Sequence, residues 1–249
     1  MTVQTFIYFN YGWIALAIVV FLILLKVSAP YGRHLRNNWG PAIHATTGWI
    51  IMELVSPLVF AFFFLQGQQT GYINWVFFSL WILHYFNRSI IYPLRASGKY
   101  KQIPLVICVF AILFNSVNGY LNGYYLGVFK TYDSAWLKDM RFIAGLSLFF
   151  IGFAMNNYSD EILLRLRKKS AGYSIPHGGL YRWISCPNYL GEILEWCGWA
   201  IATWSLPGLA FAAWTFANLF PRALSHHKWY KTRFKDYPAN RKAIIPFLI

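Results

Sequence analysis

Residues 188–196 read NYLGEILEW, and the chain continues through CGWAIATWSLPGLAFAAW to Trp214 without another charge. Glu192 and Glu195 are three residues apart, so on a helix they share one face. An apolar run of this length is interrupted only by SLPG at 205–208. It therefore reads as two helices joined by a tight turn, each near the ~20 residues that a bilayer crossing needs. Two carboxylates in such a run carry a large desolvation cost unless they meet cations or hydrogen-bond donors. The stretch fixes the class of fold as helical and membrane-embedded, and it raises the question of what the two glutamates serve.

Composition extends this reading to the whole chain. The 249 residues are 57% hydrophobic and 20% aromatic, with 12% charged and a mean hydropathy of +0.41. A soluble domain carries about 25% charged residues, so lipid must cover the remaining surface. The expectation is an all-α, polytopic membrane bundle forming one domain over 1–249. The opening FIYFNYGWIALAIVVFLILL has no basic segment before it and no small-residue cleavage site after it, and it reads as a retained helix. Cys108, Cys186 and Cys197 are scattered, with neither disulfide-framework nor zinc spacing, and no metal site is expected.

Seven spans are expected, at about 7–28, 46–66, 73–92, 103–127, 141–158, 188–204 and 207–224. The net charge of +14 is distributed in register with them. The N-terminal MTVQTF and the QGQQTGYIN loop hold no basic residue. Arg33 and Arg36 lie in the first loop, Arg95, Lys99 and Lys101 in the third, and Arg165, Arg167, Lys168, Lys169 and Arg182 in the fifth. Lys228, Lys231, Arg233, Arg241 and Lys242 lie in the tail. The positive-inside rule then places the N-terminus outside and the C-terminus in the cytoplasm. This pattern argues against nucleic acid as a partner and for membrane lipids, and no obligatory protein partner is evident. The host membrane follows the source: endoplasmic reticulum in a eukaryote, inner membrane in a bacterium.

Ionisable side chains inside spans mark functional positions or buried partners. Glu53 sits well within GWIIMELVSPLVF with no cation nearby in sequence, and a functional role is the better reading there. His84, Tyr85 and Arg88 fall in WILHYFNRSIIY; His84 reads as a satisfied core histidine. For Arg88 and Arg222, snorkelling to the interface and ligand binding stand equal. Asn156 and Asp160 end the fifth span, and Glu161 with Arg165 reads as a surface pair at helical spacing. Arg222, His226 and Tyr230 close the seventh. Polar groups from several spans thus gather toward the cytoplasmic half, the pattern of a pocket with a polar mouth and an apolar interior.

Several stretches together resemble the steroid 5α-reductases (3-oxo-5α-steroid 4-dehydrogenases). They are SIPHGGLYRWISCPNYLGEILEWCGWAIATWSLPGLAFA, HHKWYKTRFKDYPANRKAIIPFLI, LHYFNRSIIYPL, NGYYL and NNYSDEILLRLRK. PNYLGE alone is less specific, because a similar pattern occurs in other membrane sterol reductases and in membrane methyltransferases. The resemblance implies NADPH-dependent reduction of the Δ4 double bond of a 3-oxo-Δ4 steroid, or of another enone lipid, by hydride transfer to C5. Tyr85 would donate to the C3 ketone oxygen and Glu53 would share its hydrogen-bond network. Asn156, Asp160, Arg167, Tyr173, Asn188, Glu192, Arg222, His226 and Tyr230 would hold the cofactor, with Arg88, Tyr92 and Lys99 as further candidates, and residues 141–249 would supply most of that site. The chain departs from the family pattern at Arg165, Ser174 and Ala96.

Two other readings stay open at this level. One is an S-adenosylmethionine-dependent methyltransferase of a lipid or isoprenylcysteine, which has no special need for Glu53 or Tyr85. The other is a non-enzymatic sterol-binding membrane protein, in which Asn188 and Glu192 carry no chemistry.

Overall fold

Backbone N–H and C=O groups in an apolar setting must bond within their own segment, and helices achieve this. The computed structural model describes residues 1–30, 32–34, 39–68, 71–96, 102–169 and 172–249, and among these helices dominate. The main helices are α1 (Val3–Lys26), α2 (Ala45–Leu65), α3 (Tyr72–Phe86), α4 (Tyr92–Arg95), α5 (Leu105–Tyr124), α6 (Met140–Lys169), α7 (Pro187–Thr203) and α8 (Leu206–Arg233). Four helical stretches, Val3–Lys26, Ala45–Leu65, Leu105–Phe129 and Met140–Lys169, are long and apolar enough to cross a membrane. The chain folds as two compact units, one of Met1–Phe6 and Ala29–Asp139, the other of Ile7–Ser28 and Met140–Ile249.

In the first unit α2 and α5 form the principal helix pair. Gly119, Gly123 and Gly127, spaced by four, present the bare backbone of α5 and of the π-helical turn that extends it to Phe129. A Cβ at Gly119 would fall 2.8 Å from the Ser56 carbonyl oxygen, and one at Gly127 would fall 2.5 Å from that of Phe64. This is the small-xxx-small device by which apolar helices approach without a hydrophobic driving force. Two three-residue strands, β1 (Ala42–His44) and β2 (Gln102–Pro104), pair antiparallel with Ile43 opposite Ile103 and tie the starts of α2 and α5 together. The third expected span continues past α3 through a π-helical turn, Asn87–Ile91, into α4.

The second unit is built on α6, α7 and α8, with α1 alongside α8. Gly145 and Gly152 on α6 meet Gly191 and Gly198 on α7. A Cβ at Gly152 would lie 2.5 Å from the Gly191 carbonyl, and one at Gly198 would lie 2.6 Å from that of Gly145. The α7–α8 turn is as tight as SLPG suggests. Trp204 takes the left-handed conformation (φ 44°), and the Ser205 hydroxyl caps α8 by accepting from Gly208 N at 3.0 Å. Trp214 Nε1 donates to the Trp13 carbonyl at 3.0 Å, fixing α1 against α8.

Two helices run further than their apolar segments. α6 continues unbroken to Lys169, beyond the expected end at 158, and α8 continues to Arg233, beyond 224. In α6 the residues EILLRLRKK are good helix formers, and Arg165 Nε donates to Glu161 Oε1 at 2.7 Å one turn away. After α8 the chain doubles back: Lys242 N donates to the Trp183 carbonyl at 2.8 Å, and Ser185 N to the Lys242 carbonyl at 2.8 Å.

Candidate cofactor site and polarising residues

The close approach of α6 and α7 puts the polar residues of NNYSDE and PNYLGE together. Pro187 opens α7, where its missing N–H costs nothing, and Gly191 follows one turn later. A Cβ on Gly191 would sit 2.5 Å from Asn156 N and 2.8 Å from the Gly152 carbonyl, so the glycine sets the helix separation at this level. At that separation Asn156 Nδ2 donates to the Asn188 carbonyl at 2.9 Å and reaches Glu192 Oε2 at 3.5 Å. Asn188 Nδ2 donates to Asp160 Oδ1 at 2.9 Å. Asn156 and Asp160 are buried, whereas Asn188 and Glu192 are half-buried and border accessible surface. Glu195 is completely buried, with its main chain lying against Gly152. The two glutamates therefore differ: Glu192 belongs to the asparagine–aspartate network, and Glu195 lies at the tightest part of the helix pair.

Next to this network stand the residues of α8. Arg222 Nε donates to the Tyr189 hydroxyl at 3.1 Å, and the His226 ring lies 5.4 Å from that of Tyr189. Tyr230 is buried and stacks on Tyr237 at 5.3 Å. Arg167 is exposed near the end of α6, and the exposed Tyr173 packs edge-on against Trp229 at 5.0 Å. Of the cofactor candidates in this unit, Asn156, Asp160, Asn188 and Glu192 thus form one bonded group. Arg222 and His226 form a second through Tyr189, while Tyr230 stacks on Tyr237, Tyr173 packs on Trp229 and Arg167 stands exposed on the last turn of α6.

Four neighbours were not legible as site residues. Tyr189 occupies the middle of PNYLGE but carries no charge to single it out. Tyr181 is buried and donates to the Ser159 carbonyl at 3.4 Å; burial, with the Asp160 charge next in weight, pushes its phenol well above the usual range and keeps it neutral. Ser185 Oγ lies 2.6 Å from His227 Nδ1 and 2.6 Å from the Tyr237 hydroxyl. Arg241 is buried, donates to the Pro176 carbonyl at 3.2 Å and stacks over Tyr237 at 4.9 Å. No periodicity or spacing in PANRK sets Arg241 apart, because its partners lie in distant loops.

The first unit holds the other candidates. Tyr85 is buried on α3, its ring 5.3 Å from Trp81 and 5.0 Å from His84. Its carbonyl accepts from Ser89 Oγ at 2.5 Å across the start of the π-helical turn. Glu53 is half-buried on α2, one turn before Pro57, which has no N–H to give the Glu53 carbonyl. The preceding carbonyl, of Met52, accepts from Asn115 Nδ2 at 2.7 Å. Arg88 stacks between Trp49 (5.0 Å) and Tyr92 (5.2 Å), and Trp49 Nε1 donates to its carbonyl at 3.2 Å. The guanidinium of Arg88 is thus held against aromatic faces of its own unit. Lys99, like Arg36 and Lys101, lies outside the described residues.

The structure thus defines a helical, membrane-type protein with a polar, hydrogen-bonded group in an otherwise apolar helix pair. Residues 101–249 match the family described as 3-oxo-5-alpha-steroid 4-dehydrogenase. Bovine 3-oxo-5-alpha-steroid 4-dehydrogenase 1 is 40% identical over 242 residues, spanning 94% of this chain and 93% of its own. Steroid 5-alpha-reductase DET2 of Gossypium hirsutum is 41% identical over 242 residues, with the same shares, 94% and 93%. The human 3-oxo-5-alpha-steroid 4-dehydrogenase 1 is 39% identical over 239 residues, covering 94% and 92%. The chain belongs to the 3-oxo-5-alpha-steroid 4-dehydrogenase family. It is an oxidoreductase acting on CH–CH bonds, which sets aside both the methyltransferase and the non-enzymatic readings.

Proposed function

We propose that this protein reduces the Δ4 double bond of 3-oxo-Δ4 steroids to 5α-dihydro products with NADPH as the reductant. The relatives are named as a 3-oxo-5-alpha-steroid 4-dehydrogenase and a steroid 5-alpha-reductase, and the observation that carries the reading to this chain is the bonded group Asn156, Asn188, Asp160 and Glu192. Its chemistry fits a dinucleotide. Asn188 and Glu192 border accessible surface and offer an amide and a carboxylate, which suit ribose hydroxyls and a carboxamide. Arg222 and Arg167 supply guanidinium groups matched to phosphate oxygens. His226 and Tyr230 on α8 and Tyr173 in the loop after α6 complete the set in the second unit; in the first unit, Arg88, Tyr92 and Lys99 are further candidates. When bound, the cofactor supplies the hydride that adds to C5.

The protein's share of the chemistry falls on the C3 oxygen. Conjugate addition at C5 moves negative charge there, so a donor aimed at that oxygen stabilises the transition state more than the ground state. Tyr85 takes that role and Glu53 shares its hydrogen-bond network. A proton from water or a relay then completes C4. Many large apolar side chains are exposed among the described residues, which suits a flat, four-ring substrate that reaches the protein from the bilayer.

In this reading the whole of 1–249 acts as one reductase domain with seven spans, α3, α7 and α8 adding to the four stretches long and apolar enough to cross. The N-terminus lies outside, and the basic segments face the cytoplasm, the source of the cofactor. The test is incubation of detergent-purified protein with testosterone or progesterone and NADPH, with the product followed by mass. A 5α-dihydro product dependent on NADPH is expected. Absence of any reduced steroid from folded, NADPH-binding protein overturns the substrate class, and absence of NADPH binding overturns the cofactor.

A further inference from the structure

Residues 244–249, IIPFLI, close into a hook. Ile244 N and Ile245 N both donate to the Ile249 carbonyl, at 2.9 and 2.8 Å, and Leu248 N and Ile249 N both donate to that of Ile245, at 3.2 Å. The hook satisfies much of its own backbone, which is what a segment entering an apolar phase must do. Its side chains do the opposite of a core. Phe247 is 77% exposed and Leu248 75% exposed, and Ile245 and Ile249 are exposed beside them. Phe247 moreover holds φ at +67°, a conformation that costs a bulky residue free energy, and its side chain is left largely exposed.

The position of the hook identifies what covers it. Ile244 itself is buried among Cys186, Ile193 and Ala223, which fixes the hook to the end of the second unit where α7 begins. Lys242 pairs with Ile184 there, and the exposed Trp183 packs its ring 6.3 Å from Phe247. Arg182, also exposed, stacks over Trp183 at 5.7 Å. Arg233 and Lys235 are exposed at the adjacent end of α8, with Asp236 the one acidic residue of that stretch. Tryptophan, outward aliphatic groups and a surplus of cations at the ends of membrane helices are the composition of a segment lying at the headgroup–acyl boundary.

We propose that the 244–249 hook, with Trp183, is an interfacial anchor that inserts its apolar face into an anionic bilayer leaflet while Arg182 and Lys242 meet the headgroups. This site is independent of the reductase reading. It holds the loop before α7 and the chain after α8 against the membrane surface.

The test places a fluorophore on the hook. Leu248→Cys is labelled with an environment-sensitive dye in full-length protein reconstituted in nanodiscs; Cys108 and Cys186 are buried, and protein without the substitution corrects for Cys197. The expected result is blue-shifted emission that doxyl-labelled lipid quenches and aqueous iodide leaves nearly intact, with stronger doxyl quenching when phosphatidylglycerol replaces part of the phosphatidylcholine. Quenching by iodide but not by doxyl lipid overturns the proposal, because the hook then stands in water. Protection from both quenchers also overturns it, because protein, such as a second copy of the chain, then covers the hook. Equal doxyl quenching in neutral and anionic discs overturns the role given to Arg182 and Lys242. Ile249→Cys, on the same face, serves if the first variant folds poorly.

Discussion

The two closest helix pairs of this protein, α2–α5 and α6–α7, both depend on glycine, but they distribute it differently. In α2–α5 the glycines spaced by four, Gly119, Gly123 and Gly127, belong to α5 and its extension, and they face a partner carrying Ser56, Phe60 and Phe64. Backbone there also meets backbone, but the glycines of this contact come from one helix only, and Asn115 reaches across it to a main-chain carbonyl, that of Met52. In α6–α7 each helix contributes two glycines seven residues apart, and backbone meets backbone. Side chains flanking such a contact are drawn together across it, and those side chains are Asn156, Asp160, Asn188 and Glu192. The same small residue thus serves packing in one unit and assembles polar chemistry in the other.

The sharpest way to break this comparison is to add volume at matched positions. Gly191→Leu forces α6 and α7 apart at the polar group, and both thermal stability and NADPH binding should be lost, the packing component alone costing about 1–3 kcal/mol or more. Gly123→Leu, in the other pair, should lower the melting temperature comparably yet leave NADPH affinity unchanged in whatever protein remains folded. Equal loss of affinity in both variants would remove the distinction. Tyr85→Phe comes next: turnover should fall by about 10²–10³-fold with NADPH affinity intact, because only a donor used in the transition state is deleted. Unimpaired turnover takes Tyr85 out of the mechanism. Glu192→Gln should weaken NADPH binding about tenfold, as expected for one hydrogen bond to a charged group, with little change in melting temperature. A titration of intrinsic fluorescence reads this, and an unaltered dissociation constant would return Glu192 to a packing role. Glu161→Gln should be silent in both assays, since the Arg165 side it bonds is solvent-screened.

Much of this arrangement is visible in the chain itself. Hydropathy and length locate the helices to within a few residues in α1, α2 and α7, because apolar runs in lipid have little choice but helix. PNYLGE and NNYSDE carry enough polar character in apolar surroundings to be picked out as site elements, and the structure joins them through Asn156, Asn188, Asp160 and Glu192. What was not legible depends on registers that hydropathy does not encode. The π-helical turns at 87–91 and 125–129 follow no composition rule, yet the first one sets the backbone behind Tyr85. The β1–β2 pairing joins segments far apart in sequence. Tyr181, Ser185 and Arg241 acquire their roles only from tertiary neighbours. The reach of α6 to Lys169 was masked by its rising charge, since a membrane boundary and a helix boundary need not coincide.

Gly191 has a consequence for reading other chains. Its hydrogen atom is where a methyl group would strike Asn156 N, so the glycine of the PNYLGE hexad records how near two rods stand, and says nothing about which nucleotide lies beside them. Enzymes with unrelated chemistries could share that hexad simply because each needs two helices at arm's length. In a newly met sequence, the identity of the cofactor is better sought among the side chains that this spacing brings together than in the glycine itself.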